Sequence, residues 1–296
     1  MKRSDTDDSM ENLMDEPPSD RTPSGLTGRF AAEDGARGAL IATISTIVVF
    51  GAFIVWVLTS PNWPRVRDQF FNPEDFRASA PTVARGFWLN LRMFAVAVVA
   101  IPVVAVLIAF MRSLRGPAFA PARLFATAYT DFFRGIPVIL LVLVLGFGVP
   151  ALDLPGLTNS AVVWGVTALT LSYAAYTAEI YRSGIEAVPE SQRASARALG
   201  LTQIQTLRYA ILPQAVRNVV PALMNLVVAL LKDVALVSVL GVRDAVKEAD
   251  IYKARTFNYT SFLVAAALFL AVSIPLTRFV DWYAARDRAM RSQTAV

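Results

Sequence analysis

Six runs of mostly apolar residues recur along this chain, separated by shorter polar stretches: Gly38 to Ser60, Gly86 to Phe110, Ile136 to Leu152, Asn159 to Ala178, Val219 to Val242 and Ser261 to Thr277. A helix rises ~1.5 Å per residue, so about 20 such residues cross a ~30 Å hydrocarbon core. In lipid, backbone polar groups must be satisfied within the segment, which favours helices. The expected fold is an all-α membrane protein with six transmembrane helices. Composition agrees: mean hydropathy is +0.49 and only 17% of residues are charged, against about 25% in an ordinary soluble protein. A disordered chain, a secreted disulfide scaffold and an ordinary cytosolic enzyme are excluded.

The polar stretches give an orientation. Six spans put both termini on one side. That side carries 18 Lys and Arg and the other carries 8, so the positive-inside rule places both termini in the cytoplasm. Residues 1–37 hold nine acidic and five basic side chains and read as a flexible cytoplasmic tail. Lys2 and Arg3 lead into polar sequence, unlike a signal peptide. Residues 38–60 read as an extra N-terminal transmembrane helix. Residues 61–85, with Pro61, Pro64, Pro73 and Pro81, read as an extracytoplasmic loop, and residues 287–296 as a cytoplasmic C-terminal tail. Trp56, Trp63, Trp88 and Trp282 fall near span ends, either as an aromatic belt or as simple packing. Arg92, one turn inside the second span, either snorkels to the headgroups or lines a cavity.

Several chemistries are closed to this sequence. It contains no Cys and no His, so thiol nucleophiles, histidine bases and Cys/His zinc sites are absent. No G-x-x-x-x-G-K-[ST] run occurs, and none of its four lysines follows a glycine. A phosphate-cradling P-loop is therefore missing, and any ATP that drives the protein is bound by another chain. No cofactor and no metal is expected on this one.

The cytoplasmic stretch Ile185 to Pro213 reads as two short helices with a break. Pro189 and Glu190 suit a first helical turn, Gly200 suits the position just past a helix end, and Thr202 with Gln205 forms a capping box. Such a unit is either an interfacial loop or a lever for a partner to push.

That stretch resembles the coupling loop of ATP-binding-cassette importer permeases, whose pattern is E-A-A, three residues, G, nine residues, I-x-L-P. Ala194, Ser195 and Ala196 stand at E-A-A, Gly200 at the glycine, Ala210 at the isoleucine, and Leu212 and Pro213 at L-P. The glutamate, the middle alanine and the isoleucine are replaced; the spacing is kept. Three further runs resemble the polar amino-acid subfamily in the same order. They are Asp131 to Pro137 (E-x-x-R-G-T-P), Ala175 to Ile185 (A-Y-x-A-E-I-x-R-x-G-I) and Leu230 to Leu236 (L-L-K-D-[TS]-[SA]-L). The resemblance, to the histidine/glutamate/glutamine/arginine permeases, spans residues 86–286. It implies that the last five spans form the type I (MetI-like) importer core, with a coupling loop over 186–213 that includes Glu186. It also implies partners: a second permease subunit, identical or related, a cytosolic ATPase dimer that holds ATP-Mg, and an extracytoplasmic solute-binding protein. No nucleic acid is expected.

Asp233, preceded by Lys232, sits within the fifth run. An intramembrane carboxylate costs about 2.5–3.5 kcal/mol on insertion scales unless paired or hydrated. Two readings stand: Asp233 faces the translocation path and holds a substrate ammonium, or it pairs locally with Lys232 or Arg134. In relatives that carry basic amino acids, an Asp here and a Glu seven residues earlier help bind substrate. The earlier position is Leu226, which argues against a cationic side chain and for glutamate or another non-basic polar amino acid. Asn225, Leu226, Lys232 and Asn90 join Asp233 as candidates for the substrate pathway. Glu179 and Arg182, at i,i+3, form either a local ion pair or a latch on the coupling loop. Arg134 is either a third-span anchor or an ordinary positive-inside residue. A gradient-driven secondary transporter is the alternative that a lone intramembrane Asp allows.

Overall fold

The structure, a computed structural model, describes residues 25–114 and 116–294; the side chains of 25–37, 39 and 287–294 lie outside the description. The chain divides into two units, residues 1–64 and 65–296. In the first, helix α1 (Gly25–Thr59) starts inside the stretch expected to be a flexible tail, so that tail is helical from Gly25 on. Residues 1–24 lie outside the described residues. The section Leu40–Thr59 is long and apolar enough to span a membrane. Leu40, Ile47, Phe50 and Trp56 point to different sides of it and are all more than 60% exposed, as on a helix that is apolar all round and bathed in lipid.

The second unit begins with the body of α2 (Trp63–Phe70) and α3 (Pro73–Ser113). Most of the expected loop 61–85 is therefore helix. The prolines misled the expectation, because Pro73 occupies the first helical turn, where its missing N–H costs nothing. Asn72 caps that turn by accepting from the backbone N–H groups of Glu74 (2.9 Å) and Asp75 (3.4 Å). Pro81 lies inside the helix, where Ser79 donates back to the Asp75 carbonyl at 2.7 Å. At 41 residues, α3 is about 60 Å long and outruns the hydrocarbon core.

The third expected span is a bent pair. Helix α4 (Ala120–Gly135) meets α5 (Val138–Ala151) at 102°. Ile136 is held extended (ψ 135°) ahead of Pro137, because a residue before proline is pushed out of the helical region. At 14 residues, α5 alone reaches only about 21 Å. Helix α6 (Ala161–Glu186) is the most buried span. It packs against α3, α4, α5 and the later α9 through Ala168, Leu169, Tyr173, Ala174, Ala175 and Ala178; small side chains let helices approach closely.

Helices α7 (Glu190–Ala198) and α8 (Gln203–Gln205) follow, then a π-helical turn over Thr206–Ile211 that runs into α9 (Leu212–Asp233). The fifth expected span is not one regular helix. It tightens after Asp233 into a 3₁₀ segment, Val234–Leu240, which stops at Gly241 in the left-handed region. Helices α10 (Ala245–Thr256) and α11 (Thr260–Thr294) complete the fold. Helix α11 continues through most of the expected tail 287–296; residues 295–296 lie outside the described residues. Among the described residues, five helical runs are long and apolar enough to cross a membrane, or six with the bent pair as one span.

Candidate coupling segment and translocation site

The segment 186–213 has the predicted first helix, break and capped second start, but not the predicted end. Pro189 precedes α7 and Glu190 opens it. Gly200 sits at φ +78°, where L side chains are strained. Its N–H donates to the Arg197 carbonyl at 2.9 Å. Both arms of the capping box are made: the Gln205 N–H donates to Thr202 Oγ1 (3.3 Å), and the Thr202 N–H donates to Gln205 Oε1 (2.9 Å). The second helix does not stop at Pro213. A proline inside a helix lacks its N–H and crowds the carbonyl four residues back; the wider π turn immediately before α9 relieves that conflict. Ala194, Ser195, Gly200, Leu212 and Pro213 are exposed, whereas Ala196 is buried.

This segment is tied to α6. Arg193 Nη2 donates to the Ile185 carbonyl at 2.7 Å. Val188, Ile211 and Ala215 form a small apolar cluster with Ile185. Six residues before Ile185, Glu179 joins three helices. Its carboxylate accepts from Arg182 on its own helix (Nε at 3.1 Å) and from Arg112 of α3 (2.9 Å). Arg134 of α4 lies 3.8 Å away. Arg182 also pairs with Glu186. The expected Glu179–Arg182 pair is thus one edge of a network, and spacing along one helix carried no sign of Arg112. Tyr176 caps the bend between α4 and α5, donating to the Arg134 carbonyl at 3.3 Å beneath the Arg134 guanidinium.

Asp233 ends α9. It pairs with neither Lys232 nor Arg134 among the described residues; instead Tyr173 Oη of α6 donates to Asp233 Oδ2 at 2.7 Å. Lys232 turns away and lines an open groove of about 250 Å³ with Ala235, Val246, Phe262, Ala265, Ala266 and Phe269. Leu226 lies two turns before Asp233 on the same face of α9 and packs against the central apolar cluster, while Asn225 and Lys232 share the adjacent, exposed face. Arg92 is exposed and stacks over Trp88, one turn earlier.

Asn90 is fully buried on α3 and is spoken for: its amide donates to Asp244 Oδ2 (2.9 Å) and its oxygen accepts from the Ala245 N–H (3.0 Å). Asp244 caps α10 by accepting from the Lys247 N–H at 2.9 Å. Burial pushes the Asp244 carboxyl up, against the opposing pull of these hydrogen bonds. Nearby, Tyr252 donates to Asp75 Oδ1 at 2.6 Å, and Asn258 donates to the Asp68 carbonyl at 2.8 Å. These contacts clamp α10 and the start of α11 to the α2–α3 corner.

The profile of the family described as "Binding-protein-dependent transport system inner membrane component" matches residues 116–288, more than half of the chain. The chain belongs to this family. It is 32% identical over 210 residues to the arginine transport system permease protein ArtQ of Bacillus subtilis (strain 168), covering 70% of this chain and 93% of that one. It is 33% identical over 198 residues to the probable glutamine ABC transporter permease protein GlnM of the same organism, covering 67% and 89%. A crystal structure of an amino acid ABC transporter with histidines matches with a TM-score of 0.64 at 32% identity, over 70% of this chain and 94% of that one. The chain is thus the permease subunit of an amino-acid ABC importer, a multi-pass protein of the inner membrane. The family's members are transporter subunits rather than enzymes.

Proposed function

We propose that this permease carries glutamate or a similar non-basic polar amino acid, and that Asp233 faces the translocation path and holds the substrate's ammonium. The observation that carries this reading is the pairing of Asp233 with an apolar Leu226 on one face of α9. One carboxylate suits one ammonium, and a side-chain cation would find no second carboxylate at Leu226. Relatives named for arginine and for glutamine are about equally similar to this chain, so the site chemistry rather than identity supports the choice. Asn225 and Lys232, exposed on the adjacent face, extend the candidate pathway.

The partners in this proposal are a second permease subunit, a cytosolic ATPase dimer that binds ATP-Mg, and an extracytoplasmic binding protein. Both termini lie in the cytoplasm, and this chain binds no cofactor. Closure of the ATPases moves residues 186–213. Arg193 passes that movement to the end of α6, and the Glu179 network passes it to α3 and α4. Uptake of a labelled amino-acid panel by cells lacking and then regaining this chain tests the reading. A glutamate-type substrate whose uptake weakens at least tenfold in Asp233→Asn supports it. Restored uptake of arginine or lysine, or unchanged affinity in Asp233→Asn, contradicts it.

A further inference from the structure

The α6–α9 contact contains a polar device that the proposed role of Asp233 does not use. Tyr173, Thr177 and Gly184 fall on one face of α6, at i, i+4 and i+11. Both ends of that face meet α9: Gly184 abuts Val219 and the Ala215 carbonyl, and the Tyr173 phenol reaches Asp233. Tyr173 is 4% exposed and belongs to the central apolar cluster. Its ring is thus fixed by packing, and its hydroxyl is aimed at a single oxygen, Oδ2. Between those ends Thr177 is 2% exposed, and its hydroxyl has no hydrogen-bond partner among the described residues.

Asp233 sits where α9 passes into the 3₁₀ segment, so helical backbone continues on both sides of it. Its carboxylate is costly within a membrane unless donors reach it. Among the described residues one side-chain donor, the Tyr173 phenol, reaches Asp233 and no ion pair does, and Lys232 lines the groove beside α10 and α11. We propose that Tyr173 is a positioning residue for transport: it holds Asp233 Oδ2 so that Oδ1 is presented, oriented and unpaired, to a single substrate ammonium. This inference rests on the reading of Asp233 as the ammonium partner. It adds the residue that fixes the carboxylate's orientation, and with it a preference for a substrate that offers one ammonium group.

The test uses the whole transporter in its own cells, with the chromosomal copy deleted and the wild type, Tyr173→Phe, Asp233→Asn or the double variant restored. The probe is a uniformly ¹⁴C-labelled mixture of the twenty protein amino acids. The transported component is identified by chromatography, and its KM and maximal rate per membrane-inserted permease are then measured. Hydrogen bonds to charged groups are strong enough that losing one changes affinity about tenfold. Tyr173→Phe should raise KM about tenfold with the maximal rate changed less than twofold. Asp233→Asn should raise KM at least as much, and the double variant should be no worse than Asp233→Asn alone. KM does not depend on the amount of transporter, so reduced insertion does not obscure the result.

An unchanged KM in Tyr173→Phe beside a raised KM in Asp233→Asn overturns the positioning role and leaves Asp233 in place. A full extra factor from Tyr173→Phe in the Asp233→Asn background means that the phenol acts by itself, and also overturns it. An unchanged KM in Asp233→Asn, or no transported amino acid, overturns the underlying reading and this inference with it.

Discussion

Arg193 of α7 donates a 2.7 Å hydrogen bond to the carbonyl oxygen of Ile185, in the last turn of α6. That carbonyl also accepts from the Val188 N–H at 3.4 Å, so the guanidinium adds a shorter, charge-assisted second bond at the helix end. It links α7 to the most buried span. Arg193→Ala leaves that carbonyl with its longer backbone bond at a cost of ~1 kcal/mol, a modest loss for folding. Its larger effect is expected on coupling. Uptake should fall several-fold while membrane insertion and ATPase association, followed by co-purification, stay near wild type. Loss of insertion in step with uptake would make the contact purely structural.

Gly200 tests the same segment by another route. An added Cβ would meet nothing within 4 Å, but φ is +78°, so the strain of a side chain there is conformational, about 1–2 kcal/mol. Gly200→Val should abolish ATP-driven uptake and leave the protein inserted in the membrane. Gly200→Ala should fall between Gly200→Val and wild type. Normal uptake by Gly200→Val would remove this turn from the coupling path.

At Gly86, α3 and the start of α10 touch backbone to backbone. A Cβ on Gly86 would lie 2.5 Å from the carbonyl carbon and oxygen of Asp244 and 2.7 Å from the Ala245 nitrogen. The Asn90 hydrogen bonds to Asp244 and Ala245 hold this approach close. Gly86→Ala should lose about 1–3 kcal/mol, read as a fall of several degrees in the melting temperature of the detergent-solubilised protein. Gly135→Ala, which meets nothing within 4 Å, serves as the control and should melt near wild type.

Much of the fold was readable because hydrophobicity and capping are local. Five of the six apolar runs contain a spanning helix, and the Thr202–Gln205 box and the Gly200 turn lie where the spacing predicts. The misreadings came from prolines and from distance along the chain. Pro73 and Pro81 resemble loop punctuation but sit in a first turn and in a tolerated interior position. The third apolar run gave no local sign of the 102° bend at Pro137, beside which Tyr176 of α6 reaches the Arg134 carbonyl. Arg112 reaches Glu179 across 67 residues, and Tyr173 reaches Asp233 across 60. No local period reports such pairs. Asn90, by contrast, is expected from the sequence in the substrate pathway, and the structure buries it against Asp244 and Ala245.

The Asp75–Tyr252 bond ties the start of α3 to α10, and it is sensitive to alkali. The hydrogen bond to Asp75 favours the neutral phenol and pushes Tyr252 up to about 12, against about 10 in an unfolded chain. A group whose pKa is raised by folding stabilises fully below its unfolded value. That contribution should be intact below about pH 10 and disappear as pH rises through about 12. Thermal melts of the solubilised protein should therefore lose an increment over that window in the wild type and not in Tyr252→Phe. Parallel curves for the two proteins would show that the bond adds nothing to stability.

The central claim is that movement enters this chain from an ATPase through residues 186–213. The most direct measurement is amino-acid uptake by complemented deletion cells under two treatments: ATP depleted with the proton gradient held, and the gradient collapsed with ATP held. Uptake that stops without ATP and survives the collapsed gradient is the predicted result. Uptake that persists without ATP and dies with the gradient would contradict it, and would make Asp233 the candidate site of a coupling ion.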